Sequence, residues 1–505
     1  MPLRPDALDY DDLFPTKRKT AREEESFGRT PFVPGRKHED VADDSQPVNS
    51  TATEVVGPTD SSGTDRPLPN SQLLAETKDP LWRHSHTLSF TALFIFSIVL
   101  YVRPYELIPA LSSFTSMAFY TGLVLLGVYL ITQLSTEGNL TARPREINLV
   151  LLIGVAALLS MPLADSPGEA WTKFSDMLLK TMLIFIVLVN VVRTEMRLRL
   201  LLLLVLAVSI YLSVNAIDDY RAGLFQLGEA GTIDARIAGR IKGLFENSND
   251  LALHLVTMIP IAIALGLAGR GPIRKLLYLG GAAIMVAAVV VTFSRGGFLG
   301  LVAAAFVLAR RLARKSKATT TAAMVFALLL FMIFAPGGYG GRISTIFNSA
   351  ADLTESSTQR TEVLKRSIWV ALRYPLFGVG IGNFRYKSPR NLETHNAYTQ
   401  VAAEMGIAAM VVYIMFLVHP IRRLRLIENE SYSKPERRRF YYLSIGLQGS
   451  MVGYMVSSFF GAVAYQWYVY YLVGYAVCLH RLFIMKFPPE DYKPGYWEHP
   501  FAEKK

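Results

Sequence analysis

Cysteine is almost absent from this chain of 505 residues, and histidine is scarce. The single cysteine, Cys478, lies deep in an apolar run, and the sequence holds eight histidines. One cysteine leaves no disulfide within the chain and no thiolate metal cluster. Histidine-based chemistry is therefore limited to a few positions.

The first 86 residues lack an apolar run long enough for a core or for the signal peptide of a secreted protein. They are rich in Asp, Glu, Ser, Thr, Pro and Gly, a composition typical of disorder. Residues 1–80 hold ten Lys/Arg and sixteen Asp/Glu, a net charge of −6; the whole chain carries +11, which leaves +17 for residues 81–505. We predict a disordered acidic cytoplasmic tail over residues 1–86.

The rest of the chain is dominated by apolar runs of membrane-spanning length. This pattern predicts an all-α polytopic membrane protein, with a transmembrane domain over residues 87–485 and a short cytoplasmic C-terminal tail over 486–505. The eighth run is the weakest, because Arg310 and Arg311 shorten its apolar part. We predict about twelve transmembrane helices, at residues 87–102, 113–133, 148–164, 177–192, 198–217, 251–268, 276–294, 297–313, 319–335, 399–418, 441–460 and 462–485.

The charges of the loops predict how the chain crosses the membrane. With the N-terminus in the cytoplasm, every cytoplasmic loop is basic, whereas the short opposite loops near 104–112, 165–173 and 461–462 have almost no Lys or Arg. This is the positive-inside pattern. It predicts a multi-pass protein of the cytoplasmic (inner) membrane with both termini in the cytoplasm. The basic loops include Arg143 and Arg145; Arg193, Arg197 and Arg199; Arg270, Arg274 and Lys275; Arg310 to Lys317; and Arg422 to Arg439.

Two outer loops are long, at about 218–250 and 336–398. The larger one contains TQRTEVLKRSIWVALRYPLFG, in which Leu364, Ile368 and Leu372 recur every four residues between charged positions. This spacing predicts an amphipathic helix. Such a helix either lies on the membrane surface or packs within the loop.

Topology leaves two histidines toward the outer face. His254 is one turn inside an apolar helix, which favours a packed, hydrogen-bonded side chain. His395 lies in THNAYTQVAAEMGI, where a polar loop becomes an apolar helix. A neutral imidazole at such a junction is a candidate general base; the alternative is a role in starting the helix.

Three outward cations are candidates for binding an anion. GRIKGLFENSNDLA places Arg240 and Lys242 just before the sixth span, and TFSRGGFLGL places Arg295 in a tight turn between the seventh and eighth spans. Arginine forms two parallel hydrogen bonds to phosphate, which suits an anion clamp. In the alternative interpretation Arg295 snorkels or caps the seventh helix.

Other signals favour ordinary structure. PLFGVGIGNF has three alternating glycines but no preceding strand, so it predicts a flexible turn rather than a dinucleotide-binding loop. Asp176 and Lys180 are spaced as an intrahelical ion pair. Asp218 and Asp219 have no further metal ligand at a suitable spacing and are expected to be solvated.

Together these blocks resemble a known family. GRIKGLFENSNDLA, TFSRGGFLGL, and YPLFGVGIGNF followed by THNAYTQVAAEMG look like the blocks of the O-antigen ligase and O-antigen polymerase superfamily, in the same order. The resemblance covers about residues 90–480 and leaves out the acidic tail, for which we predict no function.

The resemblance implies transfer of a glycan from a polyprenyl-pyrophosphate donor to an acceptor hydroxyl at the outer membrane face, with inversion and without a metal or another cofactor. The acceptor would be a glycan, lipid A-core or a protein. By resemblance, Arg295 and Arg240 would clamp the pyrophosphate with support from Lys242, and His395 would accept the proton. Asn396 would help to place the sugar or the imidazole. Glu404 also matches, either at the substrate or paired with an arginine on another helix; it could orient His395 only if the helix starts after the histidine.

Other functions remain open on the sequence alone. A transporter or flippase of lipid-linked glycans would suit twelve helices equally well, but its charges should lie near the membrane midplane. A metal-dependent oligosaccharyltransferase requires outward carboxylates, of which the first outer loop offers Glu106. A membrane scaffold would not need Arg295 or His395.

Overall fold

The structure is a computed structural model, which describes residues 86–227, 233–234, 237, 239, 245, 247–322, 325 and 356–488. The predicted acidic tail, nearly all of the C-terminal tail and most of the predicted ninth span lie outside these residues. So do Arg240 and Lys242.

The described part of the chain is built almost entirely of helices. A small antiparallel hairpin pairs β1 (Gln226–Leu227) with β2 (Ile233–Asp234). The longer helices are α1 (Thr87–Val102), α2 (Met117–Glu137), α3 (Arg145–Ser160), α4 (Pro167–Val191, with a π-helical segment at Phe174–Leu179), α5 (Glu195–Arg221), α6 (Ser248–Ala268), α7 (Pro272–Val291), α8 (Arg295–Leu312), α9 (Ser356–Arg373), α10 (Ala397–Met405), α11 (Ile407–Ser431), α12 (Arg438–Ser457) and α13 (Trp467–Lys486).

Eleven of the twelve predicted spans coincide with helices in the described residues. Nine of these helices are long and apolar enough to cross a membrane, and α8 and α12 are not among the nine. The predicted fold class, an all-α polytopic membrane protein, is confirmed. The weakness of the eighth span follows from Arg310 and Arg311, which lie in the last turn of α8.

The predicted tenth span, 399–418, is wrong in its boundaries. The chain forms α10 and then breaks at Gly406, whose φ is +94°, before α11 begins. A Cβ at this glycine would lie 2.3 Å from the carbonyl oxygen of Leu376. Contact with the preceding loop thus separates α10 from the apolar helix α11, although the apolar residues continue through the break.

The core of the bundle is formed by α6 and α13, which are buried along most of their length. α12 packs against α6, α8 and α11. Small residues allow the closest approach: a Cβ at Gly300 of α8 would lie 1.9 Å from Oγ of Ser457 and 2.8 Å from the carbonyl oxygen of Gly453, both on α12. Small residues at helix contacts are typical of membrane bundles, where packing replaces the hydrophobic effect.

Several helices present large apolar side chains at the protein surface. The exposed residues include Leu123 and Ile131 of α2, Leu152 and Leu159 of α3, and Leu276 of α7. Exposed apolar area of this extent is unusual for a water-soluble protein. It fits helices that face lipid.

The bundle has two chemically different ends. We call one end the basic face: here α5 and α12 begin and α8 and α13 end. The predicted cytoplasmic arginine clusters meet at this face, as Arg439 lies 3.2 Å from Glu195 and Arg314 lies 3.0 Å from Glu428. Arg423 also forms an ion pair there with the buried side chain of Glu146, at 3.1 Å. Carboxylates that the sequence analysis did not single out thus neutralise part of this face.

We call the opposite end the loop face; here α6, α8 and α10 begin and α7 and α12 end. It carries the predicted amphipathic helix, α9. This helix buries Val363 and Val370 against a small cluster with Val379 and Phe384. The three apolar residues from which the helix was predicted are instead exposed. They are Leu364, Ile368 and Leu372. The helix therefore packs on the protein with one side and leaves apolar residues on the other.

Candidate functional site

Arg295 is the first residue of α8. The turn before it contains Phe293 at φ 51°, and Ser294 caps α8 by accepting a hydrogen bond from the backbone N–H of Gly297 at 3.1 Å. Ser294 also donates to Oδ1 of Asn249 at 2.8 Å, which fixes the turn to the start of α6. Arg295 is half-buried. A cation is unfavourable at a helix N-terminus, so the dipole of α8 does not explain an arginine here.

His395 lies at the predicted junction between loop and helix. α10 starts two residues later, and Asn396 caps it by accepting hydrogen bonds from the backbone N–H groups of Tyr398 at 2.9 Å and Thr399 at 3.1 Å. The imidazole is half-buried, whereas Thr394 before it is buried. Asn396 therefore holds the backbone that carries His395.

The end of α12 joins the turn of Arg295 to the helix that follows His395. Oγ of Ser457 donates to the carbonyl oxygen of Gly296 at 3.1 Å. Oγ of the next residue, Ser458, donates to Oη of Tyr398 at 3.3 Å. Tyr398 in turn donates to the carbonyl oxygen of Met455 at 2.8 Å. Two sequence blocks about 100 residues apart are thus held on either side of one helix end.

Glu404 is buried in the last turn of α10. Its Oε2 accepts a hydrogen bond from Oη of Tyr465 at 2.8 Å. Burial raises the pKa of the Glu404 carboxyl to about 7, although the backbone N–H of Gly382, Tyr465 and Lys173 each act to lower it. α10 starts after His395, which is the condition under which Glu404 could orient the imidazole. The arginine partner considered from the sequence is replaced by a tyrosine and a backbone N–H.

The glycine-rich loop is packed against α10, contrary to the predicted flexible turn. The backbone N–H groups of Val379 and Gly380 donate to the carbonyl oxygens of Ala403 and Glu404, at 2.9 and 3.0 Å. Gly378 has φ +67°, and a Cβ there would lie 2.3 Å from the carbonyl carbon of Glu404. Only glycine allows the loop to cover the last turn of α10 at this distance.

Ion pairs attach the same loop to the start of α4. Lys387 lies 2.9 Å from Asp165, and Arg385 pairs with Glu169. Lys173 lies 3.8 Å from Glu393, which is two residues before His395. The sequence analysis missed these residues because their partners are more than 200 positions away along the chain. No local spacing indicates such pairs.

The remaining predicted residues are placed as follows. Arg240 and Lys242 lie outside the described residues, between Gly239 and Phe245, whose backbone groups are joined by a hydrogen bond of 2.7 Å. His254 is buried, with Nε2 3.0 Å from Oγ of Ser209, which confirms the packed interpretation. The intrahelical pair of Asp176 and Lys180 is also confirmed, at 2.8 Å.

The candidate site at the loop face is formed by four segments of the chain. They are residues 165–176, 291–297, 376–405 and 455–468. It offers a half-buried arginine, a half-buried histidine and a rim of paired lysines and arginines. The described residues contain no group of three or more His, Cys, Asp or Glu side chains placed to hold a metal ion. The arrangement can bind an anion and accept a proton.

Comparison with known families agrees with this part of the molecule. Residues 280–414 match the O-antigen ligase family. Residues 82–269 match a family of unknown function (DUF5935). No curated protein matches the chain. The first match confirms the predicted resemblance to the O-antigen ligase superfamily, and it spans Arg295, His395, Asn396 and Glu404.

Proposed function

We propose that this protein transfers a glycan from a polyprenyl-pyrophosphate donor to an acceptor hydroxyl, as a ligase or polymerase. The reaction takes place at the outer face of the cytoplasmic membrane and needs no metal. The observation that carries the proposal is the junction at the end of α12, where Ser457 contacts the turn of Arg295 and Ser458 contacts the helix after His395.

In the proposed reaction the acceptor oxygen attacks the anomeric carbon of the donor sugar. The acceptor O–C bond forms, the bond from the anomeric carbon to the phosphate oxygen breaks, and polyprenyl pyrophosphate leaves with the bonding electron pair. The acceptor proton passes to the imidazole of His395, which acts as general base. Attack from the side opposite the leaving group inverts the anomeric centre.

Negative charge develops on the pyrophosphate as the bond breaks, and a cation held in place beforehand stabilises it. Arg295 supplies this charge in a position fixed by the cap of α8 and by Asn249. Its planar guanidinium can contact two phosphate oxygens at once. Arg240 and Lys242 contribute further positive charge to this clamp. Asn396 holds the sugar or the backbone of His395, and Glu404 stabilises the position of α10.

Transport of the same lipid-linked glycan is the competing proposal. It is less well supported because Arg295 lies at the start of α8, at the loop face, rather than in the middle of a broken helix. Lipid-exposed helices are common to both functions and do not distinguish them.

Reconstituted full-length protein tests the choice between transfer and transport. Proteoliposomes are given a polyprenyl-pyrophosphate glycan and a hydroxyl acceptor, with EDTA present. Transfer predicts equal amounts of free polyprenyl pyrophosphate and glycosylated acceptor, at a rate that EDTA leaves unchanged. Movement of intact donor between leaflets without cleavage would overturn the proposal, and dependence on a divalent cation would overturn its metal-free form.

A further inference from the structure

A pocket lies at the basic face, at the end of the molecule opposite the candidate site. It is lined by residues of α5, α6, α7, α12, α13 and the turn before α12, and its volume is about 440 Å³. Pockets of roughly 300–1,000 Å³ are the usual size for small-molecule ligands. We call it the basic cavity.

Positive charge dominates the wall of the basic cavity, where six cations meet two carboxylates. One carboxylate, Glu195, is already paired with Arg439 at 3.2 Å and with Lys486 at 2.6 Å. The cations are Arg199, Arg270, Arg274, Arg438, Arg439 and Lys486.

Several of these cations still have the capacity to bind an anion. Arg199, Arg270 and Arg274 form no ion pair with any described residue. Arg438 donates from Nη2 to the carbonyl oxygen of Leu267 at 2.7 Å, but its Nε is buried without a hydrogen-bond partner in the described part of the chain. Buried donors normally have partners, so this wall is incomplete without an acceptor.

The rest of the lining is apolar. Next to the cavity, α7 carries Arg274 between Ile273 and Leu276, each of which is 73% exposed. Such a surface faces lipid, so the cavity lies where membrane hydrocarbon meets the charged helix ends. The apolar lining includes Leu198, Leu202, Leu265, Leu443, Leu479 and Leu482.

We propose that the basic cavity binds an anionic phospholipid of the leaflet at this face. The phosphate contacts the guanidinium groups of Arg270, Arg274 and Arg438, and part of an acyl chain covers the leucines. Basic pockets between transmembrane helices bind anionic head groups in this way. The acidic segment of residues 1–80 is the other candidate anion, but it provides carboxylates without a long apolar chain.

The test compares two charge-matched double variants of the full-length protein. R270Q/R274Q removes two cations of the cavity, both exposed. K275Q/R310Q removes two exposed cations of the same face that do not line it. Delipidated protein in detergent is titrated with phosphatidylglycerol or phosphatidylcholine, and bound lipid is counted by native mass spectrometry.

We expect wild type and K275Q/R310Q to bind phosphatidylglycerol in preference to phosphatidylcholine. R270Q/R274Q should bind phosphatidylglycerol roughly tenfold to thirtyfold more weakly, since each cation near a membrane surface contributes about a fivefold factor. Equal weakening in both variants would overturn the proposal, because it would show a general effect of surface charge.

Two further measurements identify a different occupant. Glycerol phosphate that displaces the lipid at similar concentration would show that the ligand is a soluble phosphate. Faster hydrogen exchange of residues 1–80 in R270Q/R274Q, with lipid binding unchanged, would show that the acidic segment fills the cavity. Either result overturns the proposal, and neither depends on the transfer activity.

Discussion

At the scale of single residues, the candidate site depends on contacts that the sequence cannot display. Arg295, His395 and Asn396 were recognised from their sequence blocks, and the structure places the blocks of Arg295 and His395 beside one helix end. Tyr465 carries no such signal, yet it is the hydrogen-bond partner of Glu404. Tyrosine is common in this chain, and only the fold shows which hydroxyl lies next to a buried carboxyl.

Glu404 leads to a prediction about pH. Burial raises the pKa of its carboxyl from 4.5 to about 7. The ionised carboxylate is thus less favourable in the folded protein, and stability should fall as pH rises from about 4.5 through 7, by on the order of 3 kcal/mol. E404Q should lack this part of the pH dependence, whereas E430Q, on the basic face, should keep it. Thermal unfolding in detergent between pH 5 and 8 measures both, and a wild-type slope in E404Q would contradict the assignment.

At the scale of elements, long apolar runs were sufficient to locate helices, because a membrane span needs about twenty apolar residues. They did not locate the break between α10 and α11, since the apolar residues continue through Gly406. The break depends on Leu376, from a loop some thirty residues earlier. For α9, the spacing predicted the helix correctly, but the buried side is set by Val379 and Phe384.

One prediction concerns the packing of the glycine-rich loop against α10. G378A places a side chain at φ +67° and within 2.3 Å of the backbone of Glu404. A left-handed conformation alone costs about 1–2 kcal/mol for a residue with a Cβ, so we expect a clear fall in the melting temperature. G127A is the matched control, because no atom lies within 4 Å of a Cβ in the middle of α2. The same change there should be neutral or slightly stabilising. Equal melting temperatures for the two variants would contradict the tight packing of the loop.

At the scale of the whole molecule, the sequence predicted which loops share a side. The structure gathers the arginine clusters at one face through contacts such as Arg314 with Glu428. The carboxylates that pair with them were not predicted. Glu146 lies in the first turn of α3 and Glu428 in the last turn of α11, and both are buried. Each carboxylate stands among other charged or polar residues in the sequence, and only the fold shows which arginine of another helix lies beside it.

The orientation in the membrane is tested by reporter fusions. Because the arginine clusters lie at one face, the positive-inside rule predicts that residues 40 and 430 are cytoplasmic and that residue 350 is outside. A periplasmic reporter should be active only at residue 350, and a cytoplasmic reporter only at 40 and 430. Activity of the periplasmic reporter at 430 would contradict the orientation and would remove the candidate site from the outer face.

The division of labour between Arg295 and His395 is the central claim of the proposed mechanism. If Arg295 holds the pyrophosphate, R295A should lose on the order of 2–4 kcal/mol of transition-state stabilisation and should bind the donor more weakly. R295K should also be impaired, since lysine keeps the charge but lacks the planar two-pronged geometry. H395A should bind the donor normally and transfer its glycan roughly 10²–10⁴ times more slowly.

The most direct measurement is therefore donor affinity beside single-turnover transfer rate, for purified wild type, R295A, R295K and H395A. The account predicts that the Arg295 variants lose affinity for the donor, whereas H395A keeps the affinity and loses the rate. Correctly folded variants that transfer at the wild-type rate would contradict the site. If only H395A retained the wild-type rate, the arginine clamp would stand and the general base would be a different group.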